Sequence, residues 1–383
     1  MRPGRRKEQG QQSRQRESDM ETKVIRMEDR APVDPSLLSE AAQILRSGGL
    51  VGFPTDTVYG LGGNALDPGA SKKIYAAKGR PSDNPLIVHI SRMEELPPLV
   101  TEIPETARKL AAAYWPGPMT MILNKSALVP HETSGGLETV AVRMPSDPIA
   151  NAMIRLAGVP VAAPSANTSG RPSPTTAQHV LEDLGGKIEM IIDGGPVQVG
   201  VESTIIDLTE EQPTLLRPGA VTVPMLEKIL GPVRLDPVLT KPLGPGIHPK
   251  APGMKYRHYA PRADMILVDG TREQVVSEIR RRTEEAIAAG KKVGIIASEE
   301  TRGSYSAGDV RSVGTRADEA TVAHNLFAVL RQFDADGVDI IYSEAFPDDG
   351  IGLAVMNRMN KAAGHHHLRI ARDGTETETG GNR

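Results

Sequence analysis

The sequence contains no cysteine. That absence removes disulfides, thiolate zinc sites, iron–sulfur clusters and a cysteine nucleophile together, and it suits a reducing cytoplasm. Excess positive charge is missing too: 45 Lys and Arg stand against 48 Asp and Glu, for a formal net charge of −3. No bulk field then exists to hold nucleic acid by counterion release, so any RNA contact has to be a local patch. No stretch approaches the ~18 apolar residues of a membrane-spanning helix, and no membrane partner is expected. The opening MRPGRRKEQGQQSRQRESDMETK is basic and nearly free of large apolar side chains. It lacks the apolar centre of a signal peptide and the surface needed to repay ordering, so it reads as a disordered tail.

What is present is globular. Of 383 residues, 39% are hydrophobic and 24% charged, enough apolar content for two cores. Asp34 is placed to cap a helix with Pro35 at its first position, Leu37, Leu38, Ala41, Ala42 and Leu45 on one side, and Gly48-Gly49 as terminator. The apolar run Leu50–Phe53, stopped by Pro54, suits a buried strand. Similar runs recur at 86–90, 119–123, 139–144, 159–163, 188–192, 201–208 and 214–216, with helical stretches between them, which predicts an α/β domain with a large mixed sheet. Residues 232–262 hold seven prolines and three glycines in 31 positions and read as a stiff connector. Beyond it a β-α-β-α-β-α-β order from 264 to 371 predicts a small parallel α/β domain. The expected division is a tail over 1–33, domains over 34–231 and 263–372 joined by the connector 232–262, and a polar tail over 373–383.

Chemistry-bearing residues gather after strands, where α/β sheets bind ligands. Pro54-Thr55-Asp56-Thr57-Val58-Tyr59-Gly60-Leu61-Gly62-Gly63-Asn64 follows the first strand. It fits a Gly-x-Gly-x-x-Ala dinucleotide pattern, but Asp67-Pro68 interrupts where the phosphate-binding helix should run, and a glycine-dependent turn explains it equally well. Lys78-Gly79-Arg80-Pro81 could be ordinary cations at a helix end, and His89 an ordinary core histidine. Their company favours more: Arg143-Met144-Pro145, the polar loop Ala163-Pro164-Ser165-Ala166-Asn167-Thr168-Ser169-Gly170-Arg171-Pro172-Ser173, Glu202-Ser203-Thr204, and Leu216-Arg217-Pro218-Gly219. Arginine forks, a lysine and hydroxyl donors at several strand ends are equipment for a polyanion such as a nucleoside triphosphate. With no Gly-x-x-x-x-Gly-Lys-Ser/Thr loop and no kinase loop set, scattered side chains would hold the phosphates. The run His365-His366-His367 is no metal site on a strand, where alternate rings face opposite sides.

Taken in order, these blocks resemble the TsaC/YrdC family of threonylcarbamoyl-AMP synthases, in its longer two-domain form. The match is carried by the Pro54-to-Gly60 turn, Lys78-Gly79-Arg80-Pro81 with Asn84-Pro85-Leu86-Ile87-Val88-His89, Ser165-Ala166-Asn167 with Ser173, Glu202-Ser203-Thr204 and Arg217-Pro218-Gly219. The connector motif Pro252-Gly253-Met254-Lys255-Tyr256-Arg257-His258-Tyr259-Ala260-Pro261 extends it. The resemblance implies a YrdC-like twisted mixed sheet with a basic concavity, and a Rossmann-like C-terminal domain. It implies a threonine pocket of Thr57, His89, Arg143, Ala163 and Ser203. Arg80, Asn84, Thr139, Ser165, Ser173, Arg217 and Tyr256 would contact ATP, and Lys78 and Arg80 would serve catalysis near the triphosphate.

The implied reaction joins L-threonine and bicarbonate or CO2 into a carbamate that attacks the α-phosphorus of ATP, with Mg2+ arriving on the triphosphate rather than in a protein cage. The product would pass to the cytoplasmic machinery that transfers threonylcarbamoyl to tRNA, and direct tRNA contact stays open. Stretch 244–261 is expected to close over the nucleotide through Tyr256. Two rivals remain: a double-stranded RNA-binding module, and a carbamoyltransferase of the hydrogenase-maturation type, whose cysteine-rich zinc modules are missing.

Overall fold

A computed structural model describes residues 20–27, 32–239, 249–254 and 258–380. Strands β1 (Lys23–Arg26), β2 (Val51–Phe53), β3 (Gly60–Asn64), β4 (Ile87–His89), β5 (Met119–Asn124), β6 (Thr139–Arg143), β7 (Val161–Ala162), β8 (Met190–Asp193), β9 (Thr204–Asp207), β10 (Thr214–Arg217) and β11 (Arg234–Leu235) build one mixed sheet. Their spatial order is β1-β8-β2-β3-β7-β4-β6-β5-β9-β10-β11. Strands β12 (Asp264–Asp269), β13 (Val293–Ala297), β14 (Asp309–Ser312), β15 (Ile340–Glu344), β16 (His367–Ile370) and β17 (Glu376–Thr379) build a second, ordered β14-β13-β15-β12-β16-β17 and parallel except for the last pair. Both sheets were expected from the alternation of apolar runs.

Helices cover both faces of each sheet. Helix Pro35–Arg46 starts where Asp34 Oδ1 accepts from the Ser36 backbone N–H at 2.9 Å, and its buried Leu38, Ala41, Ala42 and Leu45 pack with Ile149, Met153 and Ile154 of helix Pro148–Ala157 on the Val51 and Phe53 side of the sheet. Each such fully buried Leu, Ile or Met side chain contributes ~1.5–3 kcal/mol. Helices Pro68–Lys78, Glu105–Tyr114 and Ala177–Leu184 pack on the opposite face. In the second sheet, helix Arg272–Ala288 lies on one face, and Glu319–Asp336 with Gly352–Ala362 on the other.

The two sheets share that last core, which takes in Val58 and Val201 from loops of the first and Tyr259 from the connector. Buried Arg331 of helix Glu319–Asp336 also donates to Asp183 Oδ2 at 3.0 Å and to the Pro172 carbonyl at 2.7 Å. Among the described residues no helix is long and apolar enough to cross a membrane.

Five strands depart from expectation. One is β11, which lies in the expected connector yet pairs in parallel with β10. Residues 23–26 were assigned to a disordered tail, yet β1 pairs in parallel with β8, and Met27 next to it is buried. The open edge of β8 supplies its ladder, a partner invisible to local composition. Residues 376–379, also assigned to a tail, form β17 against β16 although every one is exposed; the ladder and the ion pairs of Glu378 with Arg282 and His366 hold them. The polar strand β14 was not anticipated. Gly60–Asn64, read as a glycine-rich turn, is the buried strand β3, antiparallel to β2. A Cβ at Gly62 would sit 2.9 Å from both Phe53 Cε1 and Val161 Cγ1, so the glycines make room for neighbours rather than a bend.

Candidate active site

A cavity opens where the loops after β2 and β7, the loop into β9 and the ends of β4, β6 and β10 converge. Parallel β4 and β6 end side by side, with His89 opposite Arg143. The Arg143 guanidinium is buried. It donates to Asp56 Oδ1 at 2.6 Å, to Thr57 Oγ1 at 2.7 Å and to the Gly117 carbonyl at 3.2 Å. Further N–H groups of the fork remain for a ligand. Thr55 Oγ1 stands 3.0 Å from Thr57 Oγ1 and donates to the Val58 carbonyl at 2.6 Å, so the Pro54-to-Gly60 turn is wired to Arg143. Burial pushes the His89 imidazole down to about 3, and Arg143 adds to the effect; the ring is neutral, with Nδ1 3.1 Å from the Ile87 carbonyl.

Arg80 follows Gly79, whose left-handed φ of 65° ends helix Pro68–Lys78 and turns the chain into the cavity. Its guanidinium donates to the carbonyls of Asn84 at 3.2 Å and Pro85 at 3.0 Å. Arg217, at the end of β10, donates to the Ser203 carbonyl at 2.9 Å and to Ser203 Oγ at 3.1 Å. Burial depresses both arginines to about 10, leaving them charged at neutral pH. Three buried guanidiniums face a cavity whose lining carboxylate is Glu202. Such charges, drawn out of water with incomplete compensation, favour an anion strongly.

Of the sequence-derived candidates, Thr57, Arg80, His89, Arg143, Ala163, Ser165, Ser203 and Arg217 line this cavity. Lys78 stands behind the wall. Its ammonium, pushed well below its ordinary pKa by burial, donates to the carbonyls of Ser165 and Asn167 and holds that loop. Asn84 is buried beside Arg80, and its Oδ1 has no partner among the described residues. Thr139 begins β6, four residues before Arg143, or ~13 Å along the strand at its usual rise. Ser173 is buried and donates to Glu202 Oε1. Tyr256 lies outside the described residues, as do Lys255, Arg257 and 240–248.

Three wall residues lie outside the candidate site residues drawn from the sequence. Glu202 opened a motif but was given no partner; His258 and Tyr259 were placed in a lid rather than in the cavity wall. His258 is buried, and its Nε2 has no partner among the described residues. Tyr259 takes a left-handed φ of 62° and stacks on Phe327 with ring centres 5.3 Å apart, a conformation uncommon for a bulky residue. The clustering of cationic and aromatic groups in a Pro-rich segment was their only signal.

Two family models match the chain: one described as Telomere recombination (Sua5, YciO, YrdC) over residues 43–219, the other as Threonylcarbamoyl-AMP synthase, C-terminal domain, over 221–364. The threonylcarbamoyl-AMP synthase of Pyrococcus abyssi is 53% identical over 335 residues, covering 86% of this chain and 95% of the relative. That of Bacillus subtilis is 49% identical over 338 residues, covering 88% and 95%. The crystal structure of P. abyssi Sua5 complexed with L-threonine superposes with a TM-score of 0.85 at 48% identity, over 91% of this chain and 99% of that one. The chain belongs to the threonylcarbamoyl-AMP synthase family, in the two-domain form that joins a YrdC-type domain to a Sua5 C-terminal domain.

Proposed function

We infer that this protein is an L-threonylcarbamoyladenylate synthase, a nucleotidyltransferase that forms threonylcarbamoyl-AMP and pyrophosphate from L-threonine, bicarbonate or CO2, and ATP. The product serves N6-threonylcarbamoyladenosine formation on tRNA in the cytoplasm, through a separate transfer machinery. The observation that carries the reading is the parallel pair β4–β6. It holds His89 beside Arg143, Arg80 lines the same cavity, and Thr139 opens β6 four residues before Arg143. An elongated ligand with an amino acid at one end and a nucleotide at the other fits that arrangement.

In this reading Arg143 binds the threonine carboxylate, with Thr57, Ala163 and Ser203 around the side chain. Neutral His89 accepts from the substrate ammonium instead of repelling it. The ammonium passes one proton to bicarbonate, which becomes CO2 and water; the freed nitrogen lone pair attacks that CO2, and a second proton leaves to solvent as the carbamate forms. A carbamate oxygen then attacks the α-phosphorus, and the P–O bond to pyrophosphate breaks. Arg80 and Arg217, with Ser165, Ser173 and Tyr256, bind ATP and neutralise the charge gathering on phosphate oxygens, as preorganised donors in a water-poor site do best. Lys78 acts from behind by holding the Ser165–Asn167 loop.

Mg2+ enters as part of the Mg–ATP substrate. Among the described residues no group of three or more His, Asp or Glu side chains could hold a metal, and Glu202 is committed to Ser173 and Arg358. Pyrophosphate release that requires threonine and bicarbonate together tests the assignment; release without threonine would sink it.

A further inference from the structure

One wall of the cavity is held from the other half of the molecule. Helix Gly352–Ala362 presents Arg358 and Lys361, one turn apart on the same face, to the loops behind the cavity. Arg358 is fully buried. Its Nε donates to Glu202 Oε2 at 3.0 Å, Nη2 to the Glu202 carbonyl at 3.2 Å and Nη1 to the Pro218 carbonyl at 2.6 Å. Its guanidinium carbon lies 5.8 Å from the centre of the Tyr259 ring. Glu202 spends its other oxygen on the Ser173 hydroxyl. Beside it, Lys361 Nζ donates to the Gly253 carbonyl at 2.7 Å. Glu202, Gly253 and Tyr259 all line the cavity. One helix of the C-terminal sheet therefore touches the floor, the rim and the Tyr259 wall of a site whose described lining cations, Arg80, Arg143 and Arg217, all come from the first domain.

We propose that Arg358 is a positioning residue for adenylate synthesis: it locks the Glu202 carboxylate on the cavity wall, and through it the Ser173 hydroxyl, so that the site is complete only with the two sheets docked. This rests on the functional reading above. A buried ion pair of this kind is weak evidence of stability, because apolar residues of similar volume would often serve packing as well. What an apolar residue cannot supply is a fork aimed simultaneously at one side-chain oxygen and two backbone carbonyls.

The charge state of Glu202 makes the role measurable. Burial alone would raise its pKa, but Arg358 foremost, then Arg217, together with the Ser173 hydroxyl, hold it below its ordinary value. The other groups facing it are Tyr259, Lys78 and Lys361. Taking Arg358 away leaves burial less opposed, so the Glu202 pKa rises and the carboxylate forms only at higher pH. A protonated Glu202 would lose its charge and turn one acceptor oxygen into a donor, weakening its hold on Ser173 and unbalancing Arg217.

The test compares full-length wild type, Arg358→Met, Arg358→Lys, Glu202→Gln and the Arg358→Met/Glu202→Gln double variant. Per-site kcat and the pH–rate profile are read for each. The expected result for Arg358→Met is a kcat lower by at least about tenfold at neutral pH, partly recovered as pH rises because the acid limb has moved upward. Arg358→Lys restores part of the rate. In the double variant the displaced limb vanishes and the two losses are less than additive. A lowered melting temperature with kcat per folded molecule and pH profile unchanged would overturn the proposal. If Arg358→Met does not fold, Arg358→Lys carries the test, with a smaller shift of the same sign expected and no shift contradicting it. A wild type that makes no adenylate would instead remove the functional reading itself.

Discussion

Asp56 Oδ1 accepts from Arg143 at 2.6 Å with both side chains buried, while Asp56 Oδ2 finds no partner among the described residues. The pair aims the guanidinium at the cavity without consuming it. Removing Arg143 would strand a buried carboxylate, which costs ~3–5 kcal/mol. Arg143→Lys, which keeps the charge and loses the fork, separates binding from folding. Its threonine affinity should fall about 10- to 100-fold, the equivalent of one or two charge-assisted hydrogen bonds. Titration calorimetry with threonine checks this, and an unchanged affinity would place the carboxylate elsewhere.

Acid sensitivity follows from His89. Its folded pKa, about 3, lies below the ordinary 6.5 because burial, then Arg143, disfavour the imidazolium. Between those values the unfolded chain binds a proton that the folded chain does not, so stability falls as pH is lowered through that window. His89→Gln should show a flatter melting-temperature profile from pH 6.5 downward. A slope equal to the wild type's would assign the acid loss to other groups.

Arg80 and Lys78 should fail differently. Arg80→Ala removes a cavity cation and is expected to lower turnover roughly 100- to 1000-fold with little loss of melting temperature. Lys78→Ala frees the carbonyls of Ser165 and Asn167 and should lower both stability and turnover, through a loosened loop. Thermal melts beside per-site rates decide; identical patterns would refute the division of roles.

Serine should be the best false substrate. One methyl group in a small pocket discriminates by only ~1–3 kcal/mol, so serine should react about 10- to 150-fold less efficiently than threonine. Comparable use of leucine would contradict a pocket lined by Thr57, His89 and Ala163.

Much of this was legible in the sequence because its signals are local. Asp34-Pro35 starts a helix by capping chemistry, and apolar runs after glycine place the strands that end at His89 and Arg143. What was hidden depends on distant neighbours. The glycines of β3 reflect the bulk of Phe53 and Val161 rather than a turn, and β1 exists because the edge of β8 awaits it. Arg358 sits in an ordinary amphipathic helix, where nothing nearby in sequence marks its reach to Glu202. Lys78 was readable as important but not as a loop staple, since its acceptors are carbonyls some ninety residues on.

The most direct measurement incubates the purified full-length protein with Mg–ATP, L-threonine and 13C-bicarbonate, and follows the products by mass spectrometry together with pyrophosphate. Threonylcarbamoyl-AMP carrying one 13C, formed in step with pyrophosphate and absent when threonine or bicarbonate is omitted, is the predicted result. Pyrophosphate or AMP formed without the labelled adenylate, and at the same rate without threonine, would contradict it.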